Sequence, residues 1–128
     1  MATKPTILIV DDDEEIRTQM KWALAENYSI QIASNRQEAI EKAKANEPLV
    51  TLLDLGLPPS PNDTKEGLAA LSEILEWKAS AKVIIVSGQG EKENARHAVA
   101  AGAYDFLCKP VDIDELKMVL RRSVYPSR

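Results

Sequence analysis

The sequence predicts an α/β protein built on a doubly wound parallel sheet. Three observations carry that expectation. Short apolar, largely β-branched runs alternate with longer segments of helical periodicity, five times along the chain. Two of those runs, 7–10 and 83–86, are continuously apolar, as strands covered on both faces require. The 128 residues, 45% hydrophobic, suit one domain with a core that needs no disulfide.

The elements follow in order. The first strand is Ile7-Leu8-Ile9-Val10, and the helix after it shows one apolar face through Ile16, Met20, Ala23 and Leu24. The second strand, 28–32, alternates apolar and polar residues, which suits a sheet edge. Its helix runs from about 35 to 45, with Ala39, Ile40 and Ala43 on one face. The third strand is 49–53, followed by a face of Leu68, Leu71, Ile74 and Leu75. The fourth strand is 83–86. The helix expected after it, 91–101, is rich in alanine, with Val99 as its one large aliphatic residue, so it should pack thinly. The fifth strand is 103–107. The last helix carries Ile113, Leu116, Val119 and Leu120, with Asp112 as N-cap. Five strand–helix units with right-handed crossovers fit the flavodoxin-like order 2-1-3-4-5, with five helices. The expected organisation is a single domain over 1–128, with a core from about 5 to 123.

Composition removes several function classes. A net charge of −4 argues against direct nucleic acid binding by this domain. One cysteine, Cys108, excludes an internal disulfide and a multi-cysteine zinc site, and one histidine, His97, excludes a His-rich metal site. No apolar run reaches the ~18–20 residues of a membrane span. No apolar segment of signal-peptide length occupies the first residues, so the expected location is cytoplasmic, without membrane association.

Ligands of such sheets bind at the carboxyl ends of the strands, at the switch point between strands one and three. The polar residues fall there. Strand one ends in Asp11-Asp12-Asp13, strand three in Asp54, strand four in Ser87, and strand five runs into Lys109-Pro110. No phosphate-cradling glycine loop follows strand one, which disfavours a nucleotide. Clustered carboxylates repel one another, and a hard cation with oxygen ligands relieves that: Mg2+ first, with Mn2+ or Ca2+ as substitutes. Lys109 adds a point charge and Ser87 a hydroxyl, while carboxylates such as Asp54 can form aspartyl-phosphates.

Four motifs stand in order at these strand ends: Ile-Leu-Ile-Val-Asp-Asp-Asp at 7–13, Leu-Leu-Asp-Leu-Gly-Leu-Pro at 52–58, Ile-Ile-Val-Ser-Gly at 84–88 and Gly-Ala-Tyr-Asp-Phe-Leu-Cys-Lys-Pro at 102–110. In these the chain resembles the receiver domain of two-component response regulators over almost its whole length. The resemblance implies Asp54 as phosphoacceptor. It implies Asp11, Asp12, Asp54 and the backbone carbonyl of Gly56 as Mg2+ ligands, with Asp12 direct and Asp11 partly through water. It makes Lys109 the phosphate-binding lysine, Ser87 the switch hydroxyl and Phe106 the switch aromatic, where the family often has Tyr. The Lys109–Pro110 peptide is then cis, and Gly56 and Gln89 set the lifetime of the phosphoryl group.

The resemblance further implies a sensor histidine kinase as partner and a switching face around the fourth helix and fifth strand. A homodimer would form through the fourth helix, fifth strand and fifth helix. The domain would catalyse only its own phosphorylation and dephosphorylation and would control an output such as transcription. Gly67 stands nine positions after Pro58, about five more than the family pattern, so residues 59 to 66 hold an insert. That loop resembles receivers of PEP-CTERM-associated regulators, which are similar to the nitrogen-regulator type. There a receiver precedes an AAA+ ATPase and a helix-turn-helix, so the chain is either a stand-alone receiver or a fragment.

Other readings stay open at this level. A phosphohydrolase of the haloacid-dehalogenase type also opens Asp-x-Asp, here Asp11 and Asp13, but needs Thr or Val where Glu15 stands and leaves Asp54 idle. A receiver-like module that acts without phosphorylation is the third reading. Asp13 reads as an N-cap, His97 as a surface residue, and Cys108, Trp22 and Trp77 as packing. Lys117, Arg121 and Arg122 read as a solvated face.

Overall fold

The computed structural model describes residues 4–60, 63–88 and 92–125. Its elements are β1 (Thr6–Val10), α1 (Glu14–Leu24), β2 (Ser29–Ala33), α2 (Arg36–Asn46), β3 (Val50–Leu53), α3 (Lys65–Trp77), β4 (Lys82–Ser87), α4 (Lys92–Ala100), β5 (Asp105–Cys108) and α5 (Ile113–Val124). The strands form one parallel sheet in the order β2-β1-β3-β4-β5, as expected. β2, the alternating strand, lies at an edge.

Alternate residues of the central strands feed two cores. Ile7, Ile9, Val50, Leu52, Ile84 and Val86 pack with Met20 and Leu24 of α1 and Leu116, Val119 and Leu120 of α5. Leu8, Val10, Leu53, Val83 and Ile85 pack with Ala39 and Ala43 of α2, Leu71 and Ile74 of α3 and Ala98 of α4. Helices on both faces are why β1 and β4 are apolar without alternation.

Among the described residues, three helices start on side-chain caps. Asp13 Oδ1 accepts from the amides of Glu15 (2.9 Å) and Ile16 (3.4 Å). Asn35 accepts from the Glu38 amide at 2.8 Å, and Glu38 reaches back to the Ser34 amide. Asp112 accepts from Asp114 and Glu115. The Asp13 and Asp112 caps are those expected. α3 is different, because Thr64 makes no cap hydrogen bond. Its first turn docks on the loop after β3 instead. The Gly67 amide donates to the Leu55 carbonyl at 3.1 Å. A Cβ on Gly67 would lie 2.2 Å from Leu55 Cα, so only glycine allows this approach.

Several expectations need correction. β5 begins at Asp105, not at 103, because the Ala103 amide is taken by the Ala98 carbonyl in the turn that closes α4. Gly102 holds φ +107° in that turn. α4 does pack thinly, as expected: Val99 is 54% exposed, and among the described side chains of the helix only Ala98 is buried. Trp22 is 79% exposed on α1 and packs little, whereas Trp77 joins the α2–α3 core. Cys108 is exposed rather than structural, since the alternation of β5 buries Leu107 and turns its neighbour outward. His97, Lys117, Arg121 and Arg122 are exposed, as expected.

Replacing Gly67 with alanine should destabilise the chain by about 1–3 kcal/mol, the usual cost of overpacking against backbone that cannot move aside. A urea titration that leaves the midpoint within error of the parent would contradict the docking described here.

Candidate functional site

Backbone hydrogen bonds carry the sheet ladder one step past the strand ends and so fix the rim. The Asp11 amide donates to Ala33 O (3.1 Å), the Asp54 amide to Val10 O (2.9 Å) and the Lys109 amide to Ser87 O (2.9 Å). Since β1 and β3 are neighbours in register, the residues after Val10 and Leu53 come together. Asp11 and Asp54 are buried there at 1% and 6% exposure, and Asp12 faces solvent.

Lys109 joins them across the rim. Its Nζ lies 2.7 Å from Asp11 Oδ2 and 3.3 Å from Asp54 Oδ2. Asp11 Oδ1 accepts from the Asp13 amide (2.9 Å), and Asp54 Oδ1 from the Gly56 amide (3.2 Å). Leu55 and Leu57 are fully buried on either side of Gly56, so the loop carrying it is pinned to the core. Ser87 is buried at the end of β4, and Gly88 leaves room beside the Lys109 stem. Phe106 is half-buried against the α2–α3 core. Lys109–Pro110 is cis, as expected, and Pro58–Pro59 is cis as well. Gln89, together with residues 61 and 62 of the insert, lies outside the described residues.

Burial, with the Asp11 charge second, pushes the Asp54 carboxyl up to about 6; Lys109 and the Gly56 amide pull it back. Burial opposes the charge of Lys109, but Asp11 and Asp54 outweigh it and hold the ammonium above the usual lysine value. At neutral pH the rim therefore holds an ionised Asp54 beside a charged lysine.

The residues present fit a divalent cation. One carboxylate oxygen each from Asp11, Asp12 and Asp54 lie within 4.8 Å of one another. Asp11 Oδ2 is buried and, beyond its ion pair with Lys109, accepts no aligned hydrogen bond. An all-oxygen donor set of this kind selects a hard ion.

Sequence reasoning missed two arginines. Arg17 Nη1 donates to the Asp11 carbonyl at 2.7 Å, so α1 braces the acidic turn from behind. Its place one turn after the Asp13 cap was a usable signal. Arg36 pairs with Glu66 and Glu73 across helices, and nothing in linear spacing announces such a contact.

A 2-1-3-4-5 sheet with carboxylates, a lysine and a buried serine on its switch-point rim defines a small class of α/β domains. The chain belongs to the response regulator receiver domain family, whose profile matches residues 7–121. It is 37% identical to a putative response regulator NtrX-like protein of Rickettsia bellii, over 91% of this chain and 24% of that one. It is 32% identical to the chemotaxis protein CheY of Bacillus subtilis, over 92% of this chain and 96% of that protein. The crystal structure of the receiver domain of NtrX from Brucella abortus superposes with a TM-score of 0.84 at 34% identity, covering 94% of this chain and 99% of that one. The chain spans between 24% and 48% of the length of the first curated relatives it matches.

The raised Asp54 value gives a signed pH effect. The folded state holds that proton more tightly than the unfolded chain, so it binds more protons between about pH 4 and 6. Without metal, stability therefore falls as pH rises through that window. Urea midpoints of the parent relative to Asp54→Asn should decline from pH 4 to 6 and level off above 7. A constant difference would contradict the buried, repelled carboxylate.

Proposed function

We propose that the chain accepts a phosphoryl group on Asp54 from a sensor histidine kinase and relays that event as a change of shape. The observation that carries the proposal is the Lys109 ammonium held between the buried carboxylates of Asp11 and Asp54. A carboxylate oxygen of Asp54 attacks the phosphorus of a phosphohistidine in line. The P–N bond breaks, the imidazole keeps the electron pair and takes up a proton, and an acyl phosphate remains on Asp54. Lys109 trades a carboxylate partner for a phosphoryl oxygen, so its charge stays compensated throughout.

Receiver domains bind Mg2+ at this acidic cluster. Asp11, Asp12, Asp54 and the Gly56 carbonyl would hold it here, with Mn2+ or Ca2+ as substitutes. Bound there, the ion neutralises charge on the transferring group. The Ser87 hydroxyl then turns toward the phosphoryl oxygens and Phe106 turns inward. That shifts a pre-existing equilibrium of α4 and β5. Val99, Tyr104 and Met118, all large and exposed on α4, before β5 and on α5, support this as the face that pairs with a second copy or an output domain.

The chain does this to itself and turns over no free substrate. Among the described residues no helix is long and apolar enough to cross a membrane, which agrees with a cytoplasmic regulator. The NtrX-like relatives support the nitrogen-regulator type, in which AAA+ and helix-turn-helix domains act on transcription. The long loop after Pro58 supports the PEP-CTERM-associated subgroup.

Intact-mass measurement with a small acyl-phosphate donor and Mg2+ tests the reading. One phosphoryl group should add to the parent and none to Asp54→Ala, and Lys109→Met should slow the gain at least about tenfold. An unmodified parent, or an equally modified Asp54→Ala, rules the proposal out.

A further inference from the structure

We propose that Arg36 is a positioning residue for the cation site, acting through α3 and the loop after β3. The inference rests on the receiver reading above. It starts from the N-terminus of α3, where Thr64 makes no cap hydrogen bond and Asp63 Oδ1 accepts from the Lys65 amide at 2.9 Å. The start of α3 is held from outside. Arg36, the first residue of α2, places Nε 3.0 Å from Glu66 Oε1 and pairs through Nη1 with Glu73, two turns further along α3. One planar guanidinium therefore fixes both the position and the direction of the helix.

The contact leads to the site without a gap. Glu66 is followed by Gly67, whose amide holds the Leu55 carbonyl and whose Cα lies against the Leu55 backbone. Leu55 is followed by Gly56, whose amide donates to Asp54 Oδ1 at 3.2 Å and whose carbonyl is assigned to the cation. The through-space route from α3 to Gly56 is short, one amide hydrogen bond and one backbone contact, whereas the covalent route runs through residues 57–64. Arg36 holds the helix end of that short route in place. The clamp borders a cleft of about 520 Å3 between α2 and α3 that Pro58 also lines.

Calorimetric Mg2+ titration of the whole chain tests this, with a melting curve for each variant. Arg36→Met should raise the Mg2+ Kd about two- to fivefold, the range open to a partly exposed ion pair. Glu66→Gln should do the same, the double variant should be no worse than either alone, and Arg36→Lys should recover part of the loss. The sign for Arg36→Met is diagnostic. Removing a positive charge from the protein would, by Coulomb's law alone, tighten cation binding rather than weaken it. An unchanged or lower Kd in Arg36→Met, whatever its melting temperature, overturns the proposal, as does full additivity in the double variant. A parent that neither binds Mg2+ nor gains a phosphoryl group overturns the receiver reading instead.

Discussion

The Lys109 ammonium between Asp11 and Asp54 is the interaction on which the rest of the rim depends. Parallel pairing of β1 with β3 forces the residues after them into proximity, and here both are buried acids. Such a pair is tolerable only with compensation, and removing one partner of a buried charge cluster is costly. Lys109 comes from the far edge of the sheet, beyond β4, so its reach requires β4 and β5 in register as well. A slip of one residue in β1, β3 or β5 would move Asp11, Asp54 or Lys109 out of reach of the others. Sheet order, register and charge balance are thus one constraint. The same arrangement prepares the site for an anion with a cation beside it, because the groups that balance one another at rest are those that exchange partners when ligands arrive.

Much of the fold and site was legible because parallel sheets separate structure from chemistry along the chain. Buried strands demand apolar runs, and the first one or two residues beyond each run fall on the binding edge. Asp11, Asp54, Ser87 and Lys109 could therefore be assembled from linear order alone. Asp13 and Asp112 were legible for a local reason, since a cap contacts amides two and three residues on. What escaped depends on contacts between elements distant in sequence. Arg36 finds Glu66 and Glu73 only after α2 and α3 lie side by side. Trp22 and Cys108 were given to packing by residue type, but helix rotation and strand alternation decide exposure, and both face outward. The start of β5 was misplaced because Ala103 was apolar enough for a strand while its amide was already committed to closing α4.

Packing is unevenly distributed around the sheet. α1, α3 and α5 each bury large aliphatic or sulfur-containing side chains, whereas the described part of α4 buries Ala98. Local opening is easiest where little apolar area is lost. The strands that lead to the acids are buried over nearly their whole length, and the described part of the helix beyond Ser87 buries little. Chemistry needs fixed geometry, and a switch needs a small energy gap. The proposed function places these two requirements on neighbouring parts of one sheet.

The seam between Gly67 and Leu55 has a consequence for how such a protein can change over time. Buried Leu57 closes one end of the loop after β3, and Gly67 on Leu55 closes the other. The number of residues between these two anchors can change while both anchors hold. Lengthening a closed loop adds only a slowly growing entropic penalty. That stretch can accept insertions while the acids beneath it stay in place, so the lip of the site can change in length around a fixed centre.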